Sequence, residues 1–484
     1  MNLMNLIFIG YQVIAILAVI HVVMDNRQPA KTMSWALFIY FVPVAGLVAY
    51  VFFGVNRRKE RLVSRRSLNQ LTRRSMLKFA EQPNLTIPEH FKPLIDLFVN
   101  KGFALPFNGS STQLLTDGYQ FFPLLLRDIS RAKNHIHIDV YIFEDDALGQ
   151  MVADALIARA KDGVEVRIIY DDVGCWSVNS SFFERMREAG IEVEPFLPVR
   201  FPQFTSKANY RNHRKLIVID GHIGYIGGMN IALRYVKGNK IKNKEHKKEH
   251  LPWRDTMARI EGRGVFSLQR AFLIDWYFVD RTLLSDRKYY AVPDEAPEQD
   301  DEELIQTVTS GPSTEEPQIM QGYIHTIMTA KRYVYMETPY FLPPSVMLFA
   351  LKTAVSTGVD VRLMVPRHGD TWLTQWASRS YLREMVEAGV KVLLYEPGFL
   401  HSKLMVCDDE IATCGSTNID FRSMENNFEA NTFFYGKDVA TAMRDVFLAD
   451  EQQSSLLSNM PTRMNPRLWI RLWESLTRLF SPLL

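Results

Sequence analysis

The sequence predicts an α/β architecture: two duplicated halves sharing one site, preceded by a two-helix transmembrane hairpin. Three observations predict it. Two long charge-free stretches open the chain, the remainder repeats itself, and within each repeat apolar strands alternate with helical segments. At 484 residues the chain exceeds a single domain of about 100–200 residues. A hydrophobic fraction of 47% and a charged fraction of 23% exclude wholesale disorder. Lys plus Arg number 56 against 54 Asp plus Glu, so a net +2 gives no global attraction for nucleic acid. The mean hydropathy of −0.10 is typical of a soluble protein, but it averages unlike parts.

The first part, residues 1–55, holds the apolar excess. No Lys, Arg, Asp or Glu occurs in 1–24 or in 32–56, and only Asp25, Arg27 and Lys31 separate the runs. Each run is long enough for a hydrocarbon core of about 30 Å. Pro43 and Gly46 are tolerated in spanning helices, and Trp35, Tyr40 and Tyr50 suit the interfaces. A cleaved signal peptide fits poorly, because the first residues lack basic charge and no small-x-small site follows. A buried helical hairpin of a soluble domain is the other reading of these runs. Residues 56–100 form a basic connector, with Arg57, Arg58, Lys59, Arg61, Arg65, Arg66, Arg73 and Arg74. By the positive-inside rule this places everything after residue 56 in the cytoplasm. The same collar suits anionic headgroups.

The first half is expected over 101–292 and the second over 304–484, with an acidic, Pro-containing linker over 293–303. The repeat begins where Arg131-Ala-Lys-Asn-His-Ile-His-Ile-Asp answers Thr329-Ala-Lys-Arg-Tyr-Val-Tyr-Met-Glu. It continues where Asp162-Gly-Val-Glu-Val-Arg answers Thr357-Gly-Val-Asp-Val-Arg, and Glu188-Ala-Gly answers Glu387-Ala-Gly. Helical segments fall at 148–160 and 345–355, between apolar strands, which argues for largely parallel sheets. Cys175, Cys407 and Cys414 form no C-x-x-C pair and read as ordinary core residues of a reducing compartment.

Both halves carry the same polar pattern. His213-Arg-Lys215-Leu-Ile-Val-Ile-Asp220 precedes Gly227-Gly228-Met-Asn230, and His401-Ser-Lys403-Leu-Met-Val-Cys-Asp408 precedes Gly415-Ser416-Thr-Asn418. On a strand, His and Lys two apart point to one face. Asp220-Gly221 and Asp408-Asp409 suit a tight turn into a second strand that ends at the small pair. That small pair would let backbone and the amides of Asn230 and Asn418 approach an anion. One such pattern arises by chance in roughly a few per cent of chains of this length, but a second copy at the matching place does not.

Two histidines, two ammonium groups and two amides suit a phosphodiester. Lys215, Lys403, Asn230 and Asn418 would hold the phosphoryl oxygens. One histidine attacks phosphorus while the other protonates the leaving oxygen. Asp255 in Trp253-Arg-Asp and Glu429 in Asn427-Phe-Glu lie downstream at comparable positions and are candidates to orient the histidines. Metal is not expected: His135 and His137 share a strand face, but no ligand set accompanies them. No P-loop, dinucleotide fingerprint or G-x-S-x-G elbow is present.

In these motifs the chain resembles the phospholipase D superfamily, whose two H-x-K-x(4)-D motifs meet at one active site. With the two apolar runs and basic collar, it resembles the bacterial cardiolipin synthases over nearly its whole length. The resemblance implies two phospholipase D-like sandwich halves, each a mixed sheet flanked by helices. It implies phosphatidyl transfer between two phosphatidylglycerol molecules, giving cardiolipin and glycerol through a phosphohistidine, in the bacterial cytoplasmic membrane. Carried over residue by residue, it makes His213, Lys215, Asp220, His401, Lys403 and Asp408 the catalytic set. His213 is taken as nucleophile and His401 as acid/base. No cofactor is needed, since one phosphodiester replaces another. A hydrolase, or a transferase using another headgroup donor, shares every motif residue. A nuclease on the same fold is disfavoured by the apolar runs and the absence of a broad basic groove, and a scaffold by two intact motifs.

Two further segments stand out. The Lys-rich stretch 237–250 reads either as a headgroup contact or as a solvated loop. Near the C-terminus Leu468, Trp469, Leu472, Trp473, Leu476, Leu479 and Phe480 recur at helical spacing with Arg467, Arg471 and Arg478 opposite. This is either an interfacial helix or one packed on the catalytic core.

Overall fold

The computed structural model describes residues 3–24, 29–50 except 43, 85–199 except 86 and 103, 210–238, 252–290, and 303–483 except 313 and 315. The basic collar at 57–74, residues 239–250 of the Lys-rich stretch and the linker at 293–302 lie outside them.

The first half is built on seven strands: β1 (Ser110–Leu115), β2 (His135–Val140), β3 (Glu165–Asp171), β4 (Glu192–Phe196), β5 (Lys215–Ile219), β6 (Ile223–Gly227) and β7 (Met257–Gly262). Their spatial order is β1-β7-β6-β5-β2-β3-β4. The second half carries β8 (Leu304–Ser310), β9 (Tyr333–Glu337), β10 (Phe341–Leu342), β11 (Asp360–Pro366), β12 (Lys391–Tyr395), β13 (Leu404–Cys407), β14 (Ile411–Gly415), β15 (Ile419–Asp420), β16 (Glu429–Tyr435) and β17 (Ser454–Leu456). Its main sheet runs β17-β12-β11-β9-β13-β14-β16-β8, with β10 and β15 paired separately.

Both sheets are mixed, where strand–helix alternation alone suggested largely parallel ones. β2, β3 and β4 are parallel, joined by helices Ala147–Lys161 and Ser180–Glu188. β5, β6 and β7 are antiparallel. The reason is local: the Asp220-Gly221 turn folds β5 directly back on β6, leaving no length for a crossover helix. Asp408-Asp409 does the same for β13 and β14.

Each motif strand is apolar on both faces. Ile217 and Ile219 join a core with helices Gly118–Arg131, Ala147–Lys161 and Ser180–Glu188, while Leu216 and Val218 face the other way. On that other face the halves meet. Val218, Ile226, Ala258 and Ile260 share one core with Val406, Ala412, Cys414, Ala430 and Phe447. Each fully buried Val, Ile or Phe among them contributes about 1.5–3 kcal/mol, so the two halves form one unit. All three cysteines are buried and unpaired.

The expected connector 56–100 ends in structure that belongs to the second half. Phe91, Leu94, Ile95 and Phe98, on or just before helix Lys92–Gly102, enter the core formed by Val308, Ile319 and Tyr323. Gln306 Nε2 donates to the Ala104 carbonyl at 2.7 Å, so these residues embrace β8 before the first half begins.

At the N-terminus helices Leu3–Met24 and Pro29–Phe41 pack side by side, with Tyr11 donating to the Ile39 carbonyl at 3.0 Å. Ala15, Val22, Ile39 and Tyr50 form their small shared core. The second helix stops at Phe41. Among the described residues, no helix is long and apolar enough to cross a membrane.

Candidate active site

The two motifs approach each other at the junction of the halves through matched backbone pairs. His213 N donates to the Phe428 carbonyl at 2.9 Å, and Phe428 N to the Arg211 carbonyl at 2.9 Å. Symmetrically, His401 N donates to the Arg254 carbonyl at 2.7 Å, and Arg254 N to the Phe399 carbonyl at 3.0 Å. The residue before each downstream carboxylate is therefore stitched beside the opposite motif.

Crossed pairs result. His213 Nδ1 lies 3.0 and 3.1 Å from the two oxygens of Glu429, and His401 Nδ1 lies 2.6 Å from Asp255 Oδ2. Each histidine is oriented by a carboxylate from the other half. With Nδ1 donating to an anion, Nε2 is left as the free basic nitrogen of each ring. Rings enclose the pair: Tyr141 stands 5.1 Å from His213, and Trp253 and Phe399 stand 5.1 and 5.8 Å from His401.

The lysines sit in the same site. Lys215 Nζ donates to the His213 carbonyl and lies 5.2 Å above the Tyr141 ring. Lys403 Nζ is 2.9 Å from His401 Nδ1. Burial pushes Lys215 down to about 7 and Lys403 down to about 8, with Lys403 lowering Lys215 further. Burial also pulls His213 down to about 4, helped by both lysines, and holds His401 well below its ordinary value. These couplings run across the halves, so the four basic groups share one poorly hydrated space. Burial raises Asp255 to about 6. It works to raise Glu429 too, but His213, Lys215 and the Ser416 hydroxyl outweigh it and hold this carboxylate low.

The small pairs receive a carboxylate belonging to the protein itself. A Cβ on Gly228 would meet Asp255 Oδ1 at 2.1 Å, and the Ser416 hydroxyl donates to Glu429 Oε2. Asn230 is occupied by its own fold, accepting from Ile142 N at 3.1 Å and donating to Tyr235 at 3.0 Å. Asn418 is buried with Oδ1 unpartnered among the described residues.

Asp220 and Asp408, grouped above with the catalytic residues, sit at the opposite end of their strands. Asp220 accepts from the backbone N–H of Lys133, Asn134 and His135 at 2.8, 2.7 and 3.0 Å. Asp408 accepts from Lys331, Arg332 and Tyr333 at 2.6, 2.9 and 2.8 Å. Five residues of strand, about 16 Å, separate each from its motif lysine. Their chemistry is to bind β5 to the start of β2, and β13 to the start of β9.

Sequence reasoning missed a buried acid beneath each motif. Asp139 on β2 accepts from Asn212 Nδ2 at 2.6 Å, and Asp275 pairs with Arg214. Glu337 on β9 lies beside Asp450, which pairs with Arg254 at 2.7 Å. Burial and the neighbouring acid raise Asp139 well above its ordinary value and Glu337 to about 8. The available signal was an acid at the same repeat position inside an apolar strand. His135 and His137 are buried against Gln269, at 3.0 and 3.2 Å from its Oε1.

Two duplicated mixed-sheet halves that bring paired H-x-K motifs to one buried site define a phospholipase D-like protein. The family described as cardiolipin synthase, PLD-like domain, matches residues 125–248 and 323–450. The chain belongs to this cardiolipin synthase family. The family described as phospholipase D-nuclease N-terminal matches residues 13–54. Among curated relatives, the chain is 37% identical to the major cardiolipin synthase of Bacillus subtilis, over 97% of each chain. It is 36% identical to cardiolipin synthase 1 of Staphylococcus epidermidis, over 99% of this chain and 98% of that one. Its fold is similar to that of phosphatidylserine synthase from Haemophilus influenzae, with a TM-score of 0.61 at 14% identity, covering 81% of this chain and all of that one.

Proposed function

We propose that this chain is a phosphatidyltransferase that condenses two phosphatidylglycerol molecules into cardiolipin and glycerol. The observation that carries the chemistry is the crossed pairing of His213 with Glu429 and His401 with Asp255, which engages each Nδ1 and leaves each Nε2 for the substrate, with Lys215 and Lys403 buried in the same site. His213 is assigned as nucleophile because Glu429 stays anionic and its charge supports both attack and the phosphohistidine. In the first step His213 Nε2 attacks phosphorus, the bond to the glycerol headgroup breaks, and His401 gives the leaving oxygen its proton. In the second step the terminal hydroxyl of another phosphatidylglycerol gives its proton to His401. Its oxygen attacks phosphorus, the P–N bond breaks and cardiolipin departs. Lys215 and Lys403 stabilise the phosphoryl oxygens in both transition states. The phosphate charge raises His401 from its depressed value, supplying the acid when substrate is present.

The packed pair of N-terminal helices is proposed as a membrane hairpin that keeps the catalytic halves on the cytoplasmic side of a bacterial inner membrane. Two charge-free runs support it, as does the outward apolar surface formed by Ile14, Leu17, Leu37 and Phe41.

In phosphatidylglycerol vesicles the purified chain is expected to release cardiolipin and glycerol in equal amounts without nucleotide or added metal. Phosphatidic acid as the main product would replace this reading with a hydrolase. Protease accessibility of the catalytic halves in sealed vesicles tests the orientation.

A further inference from the structure

We propose that helix Leu468–Arg478 and the residues after it dock on an anionic lipid bilayer through an outward-facing apolar surface, completed by Trp372. The helix is inverted relative to ordinary surface helices, which bury their apolar face. Leu468, Trp469, Leu472 and Leu479 are 84%, 64%, 60% and 74% exposed, whereas Glu474 and Thr477 are 2% and 3% exposed. The sequence left two readings open, interfacial or packed on the core; both faces are now accounted for, one on the protein and one open.

Polar contacts hold the inner face. Arg383 on helix Trp372–Glu387 donates to Glu474 at 2.7 Å, with both groups buried. Arg478 reaches Glu384 at 2.8 Å and lies 3.8 Å above the Tyr381 ring. Such a grip fixes the helix without using its apolar side. Trp372 is itself 61% exposed and stacks on Trp473 at 6.5 Å, extending the surface across two helices. Contiguous exposed apolar surface of this kind marks an interaction site.

Charge selects the occupant. Arg467 and Arg471 are exposed and form no ion pair among the described residues. Glu474 is the sole acid from Pro461 onward, and it is turned inward. Arginines placed near an anionic surface strengthen attachment to it, and tryptophans favour the headgroup boundary. A second copy docked on the same face would bring Arg467 and Arg471 against their own like charges.

The surface also leads to the candidate site. Two residues before Trp372, Asp370 accepts from the Tyr340 hydroxyl at 2.6 Å. The Tyr340 ring lies 6.4 Å from Phe399, which lies 5.8 Å from His401. Docking there would set the aromatic side of the site against the bilayer from which a lipid substrate comes. This last step rests on the transferase reading; the helix's inverted burial does not.

The test uses the full chain reconstituted in phosphatidylglycerol-containing vesicles, with a fluorophore on Leu472→Cys or, as control, on Lys161→Cys. The native cysteines are buried and stay unlabelled. Brominated acyl chains are expected to quench the Leu472→Cys label at least twofold and leave the control unchanged. Quenching by aqueous iodide but not by brominated lipid would overturn the proposal. So would a signal that follows protein density rather than lipid, which would assign the face to a second copy. In a Leu468→Cys labelled chain, Leu472→Glu with Leu476→Glu should lose most of the lipid quenching with an unchanged melting point in detergent. Because quenching is read without turnover, failure here and failure of the transferase reading are distinguishable.

Discussion

His213 and Glu429 stand 216 residues apart in the chain and 3.0 Å apart in the fold, and the reciprocal pair His401 and Asp255 crosses back at 2.6 Å. Each half thus holds a histidine that the other half orients. The site exists only when both halves are docked.

Removing either carboxylate's charge should be costly. Glu429→Gln and Asp255→Asn are each expected to lower kcat by about 10²–10⁴-fold, because the imidazole loses its tautomer and its support for positive charge. Acid-quench trapping with labelled phosphatidylglycerol checks the roles. His213→Ala should give no phosphoenzyme, and trapping on His401 instead would reverse the assignment.

Gly228→Ala should act through Asp255. The added Cβ meets Oδ1 at 2.1 Å, so the carboxylate must leave His401. A loss of about 10²-fold in kcat is expected, since displacement of a catalytic group by an ångström has that scale. Ser416→Ala, which removes one hydrogen bond to Glu429 and adds no bulk, should cost far less.

Asp220→Asn and Asp408→Asn separate strand clamping from chemistry. Each replaces a carboxylate held by three backbone N–H groups, and an unsatisfied amide costs about 1–3 kcal/mol. Thermal unfolding should shift downward clearly, while kcat at low temperature falls much less than in the histidine variants.

The pH profile of kcat/KM should lose activity on the alkaline side near 7–8. Lysine is useful only as a cation, and burial sets Lys215 near 7 and Lys403 near 8, so raising pH discharges the free site. Bound phosphate favours the charged lysines, so the corresponding limb of kcat should lie at higher pH. Coincident limbs would contradict this.

Glu337→Gln should stabilise the fold at neutral pH. The carboxyl is raised from 4.5 to about 8, so its favourable contribution is complete below about 4.5 and is lost as pH rises through 8. Glutamine keeps the shape without titrating. Its melting point should gain on the native chain's as pH climbs from 5 to 8, measured by thermal scans at both values.

Much of this was legible in the chain. The repeat, the helix at Ala147–Lys161, the hairpin turn at Asp220-Gly221 and both H-x-K motifs follow from local periodicity and turn chemistry. Asp255 and Glu429 were legible as orienting acids, but their crossing was not, because nothing local distinguishes a partner within one half from one in the other. The motif aspartates were legible as recurring residues, but their work on strand amides appears only when β2 lies beside β5. The buried partners of Asp139 and Glu337 come from helices Val265–Asp280 and Lys437–Glu451, far along the chain.

By itself, then, the sequence determined which polar residues recur at matched spacing and that they come twice, since composition and spacing are local properties of a strand and its turn. Only the tertiary structure decided which carboxylate serves which histidine. It also decided that Gly228 makes room for Asp255 while Ser416 donates to Glu429, and that helix Leu468–Arg478 turns its apolar face outward. Those are choices between faces and halves, settled when the apolar inner faces of two sheets are buried against each other.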